Sequence, residues 1–412
     1  MRMRVAARIA SLAVLAAAWL YAASLLWRTQ VPAHLQLPQL DPHQVFPDAL
    51  LRRTARHDGF LRIDFLLASA AQLGALLWLA LRPPRGWGRP LLRGLELALL
   101  ALVVSWVARF PFGLAAQWWE RRYGISRQSY GAWLLARLPS PGSAAALLVL
   151  VAAGMLLARR LGRRWWLAAG PALAALGLVL TLVQPLLGPT LHPLRDRQLE
   201  AVLAGSGIRV GVERVAAKTR DVNADAIGIG PTRRIVFTDT ILRPPFTEPE
   251  LRFVARHELA HHRRHHLWKG VAWFALFALP CAFVLAWAGE QRGGLARPEA
   301  VPAVLLAAFC IQLVALPVGG AIARRYEAEA DWTALRATRD PAAARGLFVN
   351  FARVDLEQPN PPRWSQLLLD DHPTLLQRIE MAEAWRARRR WLDESTRVDR
   401  SFQTDVRETR TS

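Results

Sequence analysis

Seven long apolar runs constrain this chain more than any other feature. A stretch of about 17–25 apolar residues folds as a helix that lipid or other apolar helices must cover. The runs lie at Ile9–Trp27, Phe65–Leu81, about Leu91 to Phe112, Leu138–Ala158, Trp165–Leu187, Gly270–Gly289 and Ala300–Ala323. The first follows Arg2, Arg4 and Arg8 as a signal peptide would. It is long for one, ends in Leu-Leu-Trp and lacks a small-residue cleavage site, so it reads as a first span. The third is interrupted by Arg93, Glu96 and Arg109, which must snorkel from the helix ends or line a wet cavity. The expected fold is mainly α, a bundle of seven transmembrane helices.

Composition agrees. Of 412 residues 53% are hydrophobic and 17 are Trp, which points away from an ordinary soluble enzyme. A net charge of +21 ordinarily raises nucleic acid as a partner, but these arginines flank apolar runs instead of forming one tract. The bilayer is therefore the expected partner, and nucleic acid is not. Lys218 and Lys269 are the only lysines, a bias that fits a GC-rich bacterial genome better than a physical demand. Cys281 and Cys310 both sit inside apolar runs and suggest neither a disulfide framework nor a thiolate metal site.

Polar sequence divides the chain into four parts. Residues 1–190 hold spans one to five, 191–269 form a soluble segment, 270–323 hold spans six and seven, and 324–412 are a polar, helical remainder with a charged tail beyond about Arg388. In the soluble segment, Asn223–Ile229 and Arg234–Thr238 read as two strands of a hairpin around Gly230-Pro231.

That segment ends in Arg256-His257-Glu258-Leu259-Ala260-His261-His262. On a helix, His257 and His261 share a face and can offer two imidazoles to one zinc ion. Glu258 lies between them and can reach an attacking water without ligating the metal. The bland alternative is an amphipathic helix with a solvated His/Arg cluster. Glu248-Pro249-Glu250 starts the helix, which is expected to run straight into span six. Zinc needs a third protein ligand, and the best candidate follows span seven in Arg324-Arg325-Tyr326-Glu327-Ala328-Glu329-Ala330-Asp331. Glu327 can ligate, while Asp331, four residues on, can accept the free ring N–H of a ligating histidine. An ordinary charged juxtamembrane helix would look similar. Glu329 points elsewhere and reads as solvated; His262, His265 and His266 read as juxtamembrane polar residues, with a supporting role at the metal as the lesser alternative.

Taken together, these motifs resemble the type I CAAX prenyl endopeptidases, integral-membrane zinc metalloproteases with seven helices. The resemblance extends to Trp119–Gln128, to Asn223-Ala224 followed by Arg234–Leu242, to the Glu327/Asp331 motif, and to His372-Pro373-Thr374-Leu375-Leu376-Gln377-Arg378-Ile379. It implies a gluzincin-like protease domain split around spans six and seven, with zinc on His257, His261 and Glu327 and Glu258 as general base. It also implies that Asn223, His372 and Arg378 face the scissile peptide and stabilise its oxyanion, and that the helices enclose a water-filled chamber. The chain departs from the family in having Ala260 where Gly is usual and His265 where Asn is usual. Because the arginine bias suggests a bacterium, a prenylated substrate is not carried over. The expectation is a membrane-embedded zinc endopeptidase acting on membrane-associated or misfolded polypeptides. It would sit in a bacterial cytoplasmic membrane with its catalytic side toward the cytoplasm. A zinc-fold signal transducer or an inactive scaffold is the alternative. The presence of Glu258 and of the His372/Arg378 signature weighs against both.

Overall fold

The computed structural model describes residues 2–389 except 85 and 87, with side chains from residue 10 onward; the charged tail expected beyond Arg388 lies almost wholly outside the described residues. Helix α1 (Arg2–Leu26) is followed by a short α2 (Pro42–Val45) and by two long antiparallel helices, α3 (Asp48–Leu81) and α4 (Pro90–Tyr123). Then come α5 (Tyr130–Arg137), α6 (Pro141–Leu161) and α7 (Trp166–Leu187), and a soluble stretch opening with α8 (Arg197–Leu203). Strands β1 (Arg209–Glu213), β2 (Ala224–Ile227) and β3 (Arg234–Thr238) precede α9 (Glu248–Arg263), α10 (His266–Glu290) and α11 (Val301–Thr338). The chain closes with α12 (Pro341–Val354), α13 (Arg363–Leu368) and a helix over 375–389, α14.

Among the described residues, six helical segments are long and apolar enough to cross a membrane, and the described apolar part of α1, Ala10–Leu26, is shorter than these. The apolar window of α7 is only 11% buried by protein, so its Leu and Val side chains need lipid around them. Small residues let helices approach where they do touch. A side chain at Gly170 would meet the Leu279 backbone at 2.9 Å, and one at Gly177, two turns along, would meet the Phe274 ring at 2.5 Å, so α7 packs on α10 through a glycine face.

The charges in the third run separate into both expected cases. Arg93, near the helix start, pairs with Glu96 at 2.7 Å and reaches back to the Pro84 carbonyl. Arg109 donates to Gln72 at 3.1 Å and lines a cavity of about 470 Å³ that also holds Asp64, Gln117, Glu120 and Arg137.

The soluble part differs from expectation in its sheet. The hairpin β2/β3 is antiparallel, pairing Ala224 with Phe237 and Ile227 with Arg234, but β1 adds to the other side of β3 in parallel, giving the order β1-β3-β2. The sequence Arg-Val-Gly-Val-Glu is too short and too charged at its ends to announce itself as a strand. The core beneath is built around Phe237, Phe253 and Phe348, each at most 1% exposed. Burying such a ring is worth roughly 1.5–3 kcal/mol. Helix α11 runs through 38 residues without a break, carrying the chain from the apolar bundle directly into this core.

Candidate metal centre and active site

Helix α9 starts with a capping box in which Thr247 and Glu250 satisfy each other's backbone N–H groups, with Pro249 just inside. The helix buries His257, Glu258 and His262 along one side. It does not run straight into α10. At Arg264 and His265 the helix closes, and His265 takes the left-handed conformation at φ 58°, one that Asn and His tolerate better than most residues. The resemblance to a family with Asn at this position has the same physical basis. Ala260, in place of the usual Gly, is accommodated at 1% exposure.

Opposite α9, the extended α11 presents Glu327 and Asp331. Nε2 of His257 lies 3.1 Å from Nε2 of His261 and 3.0 Å from Glu327 Oε2, and His261 Nε2 is 3.3 Å from Glu327 Oε1. Ligands about 2.0–2.1 Å from a tetrahedral zinc ion are spaced close to such distances. The electrostatics agree with a cation at the centre of this triangle. Burial alone would keep His257 neutral, yet the Asp331 and Glu327 carboxylates override it and push it up to about 10. The two carboxylates converging on His257 favour a positive charge there, which a proton or a metal can supply. Burial holds His261 neutral, pushed down to about 3, the form an imidazole must take to donate its lone pair. These residues fit a metal ion.

Asp331 stands behind His257, its Oδ1 2.8 Å from Nδ1, which orients the ring so that Nε2 points inward. Glu258, 6% exposed, lies against β2 and accepts the Ala226 backbone N–H. Burial first, then the charges of Glu327 and Asp225, push its carboxyl up to about 8. A nearby dication would draw it back toward neutrality, where a general base is most useful.

The other residues singled out in the sequence come to the same place. A small cavity of about 70 Å³ is bordered by Asn223, His257, Glu258, Glu327, His372 and Arg378. His372 is half exposed; its Nε2 is 3.4 Å from Glu327 Oε2 and its Nδ1 is held by Asp371 at 2.7 Å. Asn223 sits just ahead of β2 and donates its side-chain amide to Asp225 at 2.7 Å. Arg378 is buried with its guanidinium on Asp331. The small cavity shares Asn223, His372 and Arg378 with a larger one of about 580 Å³, reaching Phe65 and Leu316 of the spans. Sequence reasoning missed two neighbours. Glu329 is not solvated but 2% exposed, and His266 is 5% exposed and bonded to it. His262 is likewise buried, its Nε2 3.0 Å from the Arg234 carbonyl.

Membrane-spanning helices joined to a His-His-Glu cluster with an adjacent buried carboxylate are the combination that a membrane-bound metallopeptidase would use. Residues 192–386, which contain the whole centre, match the model of peptidase family M48. It is 27% identical over 248 residues to the uncharacterized metalloprotease YhfN of Bacillus subtilis (strain 168), a match spanning 55% of this chain and 58% of the relative. Its fold is similar to the crystal structure of S. mikatae Ste24p, with a TM-score of 0.65 at 16% identity over 89% of this chain and 96% of the other.

Proposed function

We propose that this chain is a membrane-embedded zinc metalloendopeptidase that cleaves membrane-associated or misfolded polypeptides. The observation that carries the reading is the His257/His261/Glu327 triangle, with Glu258 on the adjoining helix turn and a cavity leading away from both. When bound, zinc supplies Lewis acidity to the peptide carbonyl and makes water acidic enough to attack near neutral pH.

The chain's own residues do the rest. Asp331 fixes the His257 ring, and Arg378 fixes Asp331. Glu258 takes the proton of the attacking water and returns it to the departing amine. His372 is held at Nδ1 by Asp371, and its Nε2 lies at the small cavity beside Glu327, where it is placed to donate to an oxyanion. Strand β2 is an edge strand, since β3 covers only its other side. An extended substrate can add there through backbone hydrogen bonds that tolerate many side chains. The 580 Å³ cavity between α3, α11 and the catalytic segment offers the approach from the bilayer side. The catalytic segments face the cytoplasm in this reading.

The test uses the full chain purified in detergent. It should contain one zinc per chain and cleave an unfolded polypeptide. A chelator should abolish cleavage and added zinc restore it. A metal-free protein, or cleavage indifferent to chelation, would refute the reading. Protease accessibility of the segment after α11 in oriented vesicles tests the side of the membrane.

A further inference from the structure

Behind His261, on the side away from the triangle, lies a second row of polar groups that proton transfer to substrate does not use. Nδ1 of His261 is 3.1 Å from Nδ1 of His266. Nε2 of His266 is 3.0 Å from Glu329 Oε2. The other Glu329 oxygen accepts the backbone N–H of Gln30 at 2.9 Å. His266 also stacks on the Tyr326 ring, centroids 4.7 Å apart and 10° from parallel.

With a metal on His261 Nε2, the proton count of this row has one solution. If His261 turns its Nε2 lone pair to a metal, its proton must sit on Nδ1 and be donated to His266 Nδ1. His266 then carries its own proton on Nε2 and gives it to Glu329. The carboxylate, with no proton to offer, accepts from His266 on one oxygen and from Gln30 on the other. This arrangement satisfies every member of the row while leaving the His261 Nε2 lone pair free to face a metal.

Gln30 belongs to the segment leaving α1, and three further contacts hold that segment to the same elements. Tyr326 donates its hydroxyl to the Leu26 carbonyl at 2.7 Å, Lys269 reaches the Arg28 carbonyl at 3.3 Å, and Arg325 donates to the Trp27 carbonyl. The end of α1 is thereby tied to the helices that carry His266 and Glu327.

We propose that Glu329 and His266 are positioning residues for the metal ligand His261, and that the Leu26–Gln30 segment at the end of α1 completes this support and so sets zinc affinity. The proposal rests on the reading of His257, His261 and Glu327 as zinc ligands.

Glutamine at position 329 is the sharpest probe. Its amide has one acceptor oxygen and one donor nitrogen, so it can accept from Gln30 or from His266 but not from both. Zinc affinity of the full chain in detergent, measured by competition with a chelating dye, should weaken by about 10–100-fold in Glu329→Gln, the range typical when such supporting partners are lost. His266→Phe keeps the ring stacked on Tyr326 but removes the acceptor, and should weaken zinc similarly. Gln30→Pro, which removes the backbone N–H, should weaken it also, while Gln30→Ala, which keeps the N–H, should match the parent. Cobalt substituted for zinc should give visible bands that shift in Glu329→Gln. A merely structural role would lower the melting temperature in these variants while leaving zinc affinity and the cobalt bands at parent values, and that result overturns the proposal. Parental affinity in Gln30→Pro alone removes the amino-terminal segment from it. A parent protein that binds no zinc would instead refute the metalloprotease reading itself.

Discussion

Arg378 grips Asp331 with two parallel hydrogen bonds, Nε to Oδ2 at 2.7 Å and Nη2 to Oδ1 at 2.8 Å, while the same Oδ1 holds the His257 ring at 2.8 Å. The resemblance to prenyl endopeptidases implies an oxyanion role for this arginine. The geometry supports a different emphasis, in which Arg378 fixes the carboxylate that orients the proposed ligand His257. Arg378→Ala should therefore lower stability, on the order of 3–5 kcal/mol for one partner lost from a buried pair. It should also weaken zinc binding by about 10-fold or more. Calorimetry and a zinc competition assay check both. Parental zinc affinity with reduced turnover would return Arg378 to the transition state.

Glu258→Gln is nearly isosteric and keeps a polar head beside Ala226, but it cannot take a proton from water. Zinc content and peptide binding should stay at parent levels, while kcat falls by about 10²–10⁴, the usual contribution of a general base. A sensor built on this fold would keep its output under the same change. Cleavage of an unfolded substrate at close to the parent rate would exclude Glu258 as the base.

His372 touches Glu327 only at 3.4 Å and is half exposed, so it is not needed to assemble the centre. His372→Ala should leave zinc affinity within a few-fold of the parent and lower kcat/KM by about 10²–10³, as for loss of one oxyanion donor. A large loss of zinc would show instead that His372 supports the metal.

Asp355 lines the larger cavity, with Oδ1 accepting the Val222 N–H at 3.0 Å. Burial first, then Asp221 and Glu357, push its carboxyl from 3.8 up to about 8 against the pull of that hydrogen bond. The folded state therefore keeps a proton that the unfolded chain releases. Stability from this group is full below about pH 4 and declines as pH rises toward 8. Asp355→Asn keeps the acceptor and cannot ionise. Its melting temperature should exceed the parent's at about pH 9 and converge with it at low pH, the gap scaling at about 2–4 °C per kcal/mol. A gap that does not change with pH would show that Asp355 ionises without penalty.

Much of this site was legible before any coordinates. The i, i+4 spacing places His257 and His261 on one helix face whatever the helix packs against, and the same spacing pairs Glu327 with Asp331. The apolar runs fix where lipid must lie, because a backbone in hydrocarbon has to satisfy its own hydrogen bonds. The Asn223–Thr238 hairpin was legible through its Gly-Pro turn. Strand β1 was not, because its place beside β3 depends on pairing across more than twenty residues.

By itself, then, the sequence determined the local geometry: which residues share a helix face, which stretches are apolar, and which side chains can ligate. Only the tertiary structure decided how those faces meet. Glu329 reads as solvated because it is two residues from Glu327 and so faces away from it. Yet the helix breaks at His265, so that His266 reaches Nδ1 of His261 and Glu329 meets it there. In an unbroken helix a residue five positions on would lie about 140° round the axis, out of reach. Arg378 likewise finds its partner only once α14 is packed against α11 and its guanidinium closes on Asp331. Periodicity describes one helix at a time, and these roles belong to contacts between helices.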